Sequence, residues 1–211
     1  MPFIIKSLAQ AMMKQAGSPS GYIGRLMGRM MNRFHHSTYL LAEKEASKLE
    51  DATVLDIGCG GGRMLNMMAS CPQVERAYGI DHSSDMVELS RRNNRSLIDS
   101  GKVSIAEGES DALEFQDEYF DMVTAFETVI FWPDWEKSFL EIERTLKPGG
   151  ILLLVNRRPE ASKKDNVWAS AINIRSLDEL KTSLEKSGFE DVLTDNEACP
   201  GWLYVKATKA L

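Results

Sequence analysis

The apolar positions of this chain change period along its length, and the changes mark its elements. Residues 3–16 set Ile5, Leu8, Ala9, Met12, Met13 and Ala16 on one helical face, and residues 23–31 do the same with Ile23, Leu26, Met27, Met30 and Met31. Gly17-Ser18-Pro19-Ser20-Gly21 stops the first of these helices. A third helix is expected over about 37–49. From there short apolar runs alternate with helical patterns. The runs predict strands at 53–57, 77–81, 102–106, 120–126 and 151–156. The helices are expected at 63–69, from a cap at Ser83 or Ser84 to about Leu97, at 135–146, and at 177–187 behind a Ser176 cap. Lys147-Pro148-Gly149-Gly150 reads as the stop of the 135–146 helix. Two closing strands, 188–195 and 201–208, flank Pro200-Gly201 and predict an antiparallel pair. Strand–helix alternation of this kind builds a parallel sheet with helices on both faces. No internal repeat, linker or low-complexity tract interrupts it.

Composition narrows the setting. The 211 residues suffice for one domain with a full core. Net charge is -6 and no long basic block occurs, so a nucleic-acid partner is not expected. The three cysteines, Cys59, Cys71 and Cys199, form neither a disulfide framework nor a C-x-x-C metal pattern. They fit a reducing, cytoplasmic compartment. The start, Met1-Pro2-Phe3-Ile4-Ile5-Lys6, lacks the features of a signal peptide, and no stretch has the length of a membrane span.

The chemistry centres on Asp56-Ile57-Gly58-Cys59-Gly60-Gly61-Gly62-Arg63, where a strand runs through a glycine turn into a helix. Glycines admit a ligand close to the backbone, and a helix start offers spare N–H groups. Two patterns compete. The dinucleotide fingerprint G-x-G-x-x-G finds Gly58 and Gly60 but meets Arg63 at its third glycine. D-x-G-x-G-x-G is satisfied in full by Asp56, Gly58, Gly60 and Gly62. An acid at the strand end suits a cationic ligand rather than a pyrophosphate. Cys59 fills the loop as a small residue. Asp81 ends the next strand, placed to accept from both ribose hydroxyls of an adenosine. His82 and Met86 follow as residues that lie against an adenine or simply pack. Phe126 and Glu127 close strand four at the carboxyl edge, where open α/β sheets bind ligands. Phe131 and Trp132 form an aromatic wall there or pack the following helix.

The D-x-G-x-G-x-G loop resembles motif I of the class I S-adenosylmethionine (SAM)-dependent methyltransferases, and other segments continue the resemblance in order. Gly108-Glu109-Ser110 stands where the family has G-D-A, with Glu in place of Asp. Phe120-Asp121-Met122-Val123 and Leu146-Lys147-Pro148-Gly149-Gly150 follow, then the two closing strands. The likeness covers about 52–208 and is nearest to small stand-alone enzymes of the ubiquinone-biosynthesis-like group. It implies a Rossmann-like seven-stranded sheet of order 3-2-1-4-5-7-6 with strand 7 antiparallel. It also implies SAM as cofactor, S-adenosylhomocysteine as product, in-line methyl transfer and no metal. Glu109 and the backbone of Ser110 would then meet the adenine. Residues 1–36 are expected to form an N-terminal helical lid on a SAM-binding domain spanning 37–211. His35, with Phe131 and Trp132, is a substrate-site candidate; His35 and Glu127, with His36, are the candidate bases. No N-P-P-Y/F pattern follows strand four, which directs the expectation to a small-molecule acceptor and a monomer or homodimer. A SAM-binding protein without methyl transfer and an NAD(P)-dependent oxidoreductase are the alternatives.

Overall fold

A central sheet positions the site. The computed structural model describes Gly21 and residues 36–157, 176–195 and 202–211. In chain order the strands are β1 (Ala52–Ile57), β2 (Val74–Asp81), β3 (Val103–Glu107), β4 (Phe120–Phe126), β5 (Leu146–Arg157), β6 (Phe189–Asp195) and β7 (Trp202–Lys209). Across the sheet they stand in the order β3-β2-β1-β4-β5-β7-β6. β1 runs parallel to β2 and β4, as β2 does to β3 and β4 to β5. β7 is antiparallel to both β5 and β6. The helices are α1 (His36–Ala46), α2 (Arg63–Ser70), α3 (Ser84–Asn93), α4 (Arg95–Asp99), α5 (Trp135–Thr145) and α6 (Leu177–Lys186).

Alternation along the buried strands divides the core in two. Val54, Met122, Leu153 and Val155 face Tyr39, Ala42, Leu65 and Met68 of α1 and α2. Leu55, Val123, Leu152 and Leu154 face Phe139, Ile142, Leu180 and Leu184 of α5 and α6. α6 starts with a full capping box, in which Ser176 and Glu179 satisfy each other's backbone N–H. α1 is tied to β7 through Glu45, which takes Lys206 Nζ at 2.9 Å and Lys48 Nζ at 2.6 Å.

Three expectations are corrected. The helix expected to reach Leu97 breaks at Asn94, whose φ of -110° and ψ of 17° separate α3 from α4. The helix expected over 37–49 ends at Ala46. Lys147-Pro148-Gly149-Gly150 belongs to β5 rather than to a turn before it. Phe120 pairs with Leu146 and Met122 with Ile151, so the extra β5 residues bulge out. Gly149 takes a φ of 74° in that bulge. The lid expected from residues 1–36 lies outside the described residues apart from Gly21 and His36.

Candidate active site

The site lies at the carboxyl ends of β1, β2 and β4, where the glycine loop leaves β1. Gly58 and Cys59 both donate their N–H to Ile80 O, at 2.8 and 3.0 Å, which fastens the loop to β2. Gly58 is glycine of necessity. Its φ is +72°, and a Cβ there would come 2.2 Å from Thr128 Cγ2. Gly60 differs. Its φ is +51°, but nothing stands within 4 Å of where its Cβ would be, so the loop presents bare backbone to an open face. Cys59 is buried; its Sγ lies 3.8 Å from Ser90 Oγ, and burial pushes the thiol pKa well up, so it is packing rather than a nucleophile.

Two buried carboxyls flank this loop. Asp81, at the end of β2, accepts Gly60 N at 2.9 Å on Oδ2 and Ser83 N at 2.9 Å on Oδ1. Each oxygen keeps a second lone pair for an incoming hydroxyl. Burial raises its pKa, and the two N–H bonds oppose that rise. Asp56, at the end of β1, is 1% exposed and accepts Thr124 Oγ1 at 3.0 Å. Burial pushes its pKa up to about 8, the Thr124 bond opposes this, and the Asp81 charge adds to it.

Two further groups complete the cluster. Tyr39 of α1 packs on Phe126 with ring centroids 6.1 Å apart. Burial raises the phenol pKa, and the nearby charges of Asp56 and Glu127 raise it further. Glu127 sits in the left-handed region at φ 57°, with its N–H on Val155 O at 2.7 Å. A non-glycine residue held there is strained, a feature concentrated at functional sites.

The remaining candidates divide. His82 is exposed beside Asp81, its Nδ1 3.9 Å from Oδ1. Met86 is 1% exposed within α3, whose cap is Ser83. Gly108 lies against Ile80, and Glu109 is exposed beyond it. Ser110 turns its hydroxyl onto Ser138 at 2.8 Å. Trp132 is buried edge-on against Phe139, at 5.7 Å, which makes it part of the α5 packing; Phe131 is half-buried. His35 lies outside the described residues, as does the side chain of His36. Tyr39, Thr124 and Thr128 were not expected from sequence. Tyr39 sits in a helix with no motif, and the two threonines act only through their register opposite the loop.

A strand–glycine loop–helix unit with an acid ending each of two adjacent strands, on a sheet of order 3-2-1-4-5-7-6, is the arrangement of the Rossmann-like methyltransferase fold. A family model described as a methyltransferase domain matches residues 55–154. It is 28% identical over 133 residues to the fatty-acid O-methyltransferase of Mycolicibacterium smegmatis, covering 63% of this chain and 45% of that protein. It is 34% identical over 152 residues to phosphoethanolamine N-methyltransferase 2 of Caenorhabditis elegans, covering 68% of this chain and 34% of that one. The chain thus spans half or less of the length of these two relatives. Among solved structures, a chain of the complex containing the Haloferax volcanii Trm112 methyltransferase activator superposes with a TM-score of 0.73 at 22% identity, covering 88% of this chain and 94% of that one. The [4+2]-cyclase SpnF superposes at 0.68 with 20% identity, covering 81% of each. Among the described residues no helix is long and apolar enough to cross a membrane.

Proposed function

We propose that this protein transfers the methyl group of SAM to a small-molecule acceptor. The observation that carries the reading is the pair of buried carboxyls, Asp56 and Asp81, on either side of the open Gly60 backbone. Asp81 suits ribose hydroxyls, and Arg63 stands where the dinucleotide fingerprint needs its third glycine. The missing third glycine disfavours the dinucleotide alternative. SAM fits those donors and acceptors: Asp81 would hold the ribose, Asp56 and the Gly60 face the methionine end, and His82, Gly108, Glu109 and the Ser110 backbone the adenine.

SAM supplies an activated methyl on a sulfonium, which the acceptor displaces in line to leave S-adenosylhomocysteine. The chain's own task is alignment and exclusion of water. Alignment alone contributes as much as roughly 7–11 kcal/mol when the reacting atoms are well placed. Phe126 and Tyr39 wall the edge of the site. Glu127, its backbone tied to Val155 just past the end of β4, is the base of this proposal where an acceptor must lose a proton. His35, Phe131 and Trp132 are retained as acceptor-side candidates. The Trp132 packing makes Phe131 the stronger of the two aromatics. An extension over residues 1–36 covers a catalytic domain over 37–211 in this reading. The contact of Gly21 N with Asp85 Oδ2, at 2.8 Å beside the adenosine end, supports it. A cytoplasmic monomer or homodimer with no nucleic-acid partner completes the proposal, supported by the acidic charge and sparse cysteines.

The printed names of the two relatives differ in the atom methylated, oxygen in one and nitrogen in the other, so they do not select an acceptor here. SpnF, named as a [4+2]-cyclase, shares the fold, and this keeps SAM binding without methyl transfer as the second reading. Calorimetric titration with SAM, S-adenosylhomocysteine and NADH separates the cofactors. Binding of NADH alone would overturn the proposal. SAM consumption with a panel of hydroxyl, amine and thiol acceptors then separates transfer from binding alone.

A further inference from the structure

The break between α3 and α4 falls at Asn94, whose side chain is bonded to the glycine loop. Asn94 is 1% exposed, and its carboxamide is fully engaged. Nδ2 donates to Gly62 O and to Ser90 O, both at 3.0 Å, and Oδ1 accepts Asn66 Nδ2 at 3.0 Å. The preceding Asn93 donates through Nδ2 to Gly61 O at 2.8 Å. Two consecutive carbonyls of the glycine loop are therefore held by the end of α3. The start of the same helix is tied to Asp81, because its cap Ser83 donates N–H to Oδ1, while Oδ2 holds Gly60 N. The fit is tight. A Cβ at Gly62 would come 2.2 Å from Ser90 Oγ and 2.4 Å from Asn94 Nδ2.

We infer that Asn94 is a positioning residue for the cofactor. It fixes the glycine loop in the form that receives the methionine end of SAM, from behind the loop. The inference rests on the SAM reading above. Only a donor serves at this point, since both Nδ2 partners are carbonyl oxygens. Asn94→Asp keeps the shape and sets an oxygen against one or both of them. Asn93, being exposed, contributes a smaller share of the same restraint.

The test compares two ligands that share adenosine and differ in the amino-acid end: S-adenosylhomocysteine and 5′-methylthioadenosine. By calorimetry, Asn94→Asp should weaken the first by about tenfold or more, ~1.4 kcal/mol, and change the second by less than about threefold. Amide exchange of residues 60–63 should quicken in the unliganded variant. Equal losses for both ligands, or no loss for either, would overturn the inference. Asn93→Ala, which removes no buried group, should show the same selectivity at about threefold, and its absence there would count equally against the restraint. Wild-type protein that binds neither ligand would remove the SAM reading itself. The exchange measurement still judges the restraint in that case, and unchanged loop exchange in Asn94→Asp would sink it.

Discussion

Asp56→Asn gives a direct measure of the electrostatics at the end of β1. In the folded protein the Asp56 carboxyl titrates at about 8, against an ordinary 3.8. Between those values the fold keeps a proton that the unfolded chain has released. Stability from this group is therefore fully present below the unfolded value and is lost as pH rises toward 8. The slope is about 1.4 kcal/mol per pH unit. Since half the protons have gone at the upper end, wild type should lose about 2 kcal/mol between pH 6 and pH 8 from Asp56 alone. Asparagine resembles the protonated acid. It preserves an acceptor for Thr124 Oγ1, now at 3.0 Å, and carries no titrating proton. The variant should thus gain on wild type by about 2 kcal/mol across that interval. Asp81 titrates in both proteins and cancels to a first approximation. Urea unfolding at pH 6, 7 and 8, with m values checked for constancy, measures the difference. Parallel pH dependences would mean that Asp56 is already ionised in the fold at pH 6, and the burial reasoning would fail.

Asp81→Ala should weaken SAM binding at least about tenfold, because it removes charge-assisted bonds to two hydroxyls as well as the Gly60 restraint; unchanged affinity in a folded variant would withdraw the ribose assignment. Gly58→Ala should cost well over about 1 kcal/mol, since strain at φ +72° is joined by a clash with Thr128, whereas Gly60→Ala, strained at φ +51° but free of any clash, should cost only about 1 kcal/mol and lose SAM. Thermal melts beside SAM titrations separate these two outcomes, and similar melting losses would contradict the contrast. Glu45 is the opposite electrostatic case. Burial would raise its pKa, but bonds from Lys206 and Lys48 prevail and lower it below 4.5. Lys206→Ala should cost about 1–3 kcal/mol at pH 7. That cost should vanish as pH falls through the folded pKa, and acid unfolding curves that stay apart would refute it.

Elements whose signals are local were legible in the sequence. β4 runs over Phe120–Phe126 as its apolar run predicts, and the Ser176 cap and the antiparallel β6–β7 pair also follow from short-range chemistry. The glycine loop and Asp81 were legible because a strand end is the one place where a lone acid beside glycines stands out. The misreadings have tertiary causes. At Asn94 the backbone leaves the helical region while the side chain bonds the loop. Pro148 and Gly149 carry every mark of a helix stop, yet β4 offers pairing partners that draw them into a bulged strand. Tyr39 reaches the site because α1 packs against the Phe126 edge of the sheet, a placement no local pattern in residues 36–46 announces.

The antiparallel insertion of β7 between β5 and β6 sets a timetable for synthesis. Every other strand leaves the ribosome before the one that completes the sheet. Until Trp202–Lys209 has emerged, β5 stands with one side open along Leu152, Leu153, Leu154 and Val155, and β6 has no neighbour. A nascent chain paused in that interval exposes a long aliphatic edge capable of recruiting foreign strands.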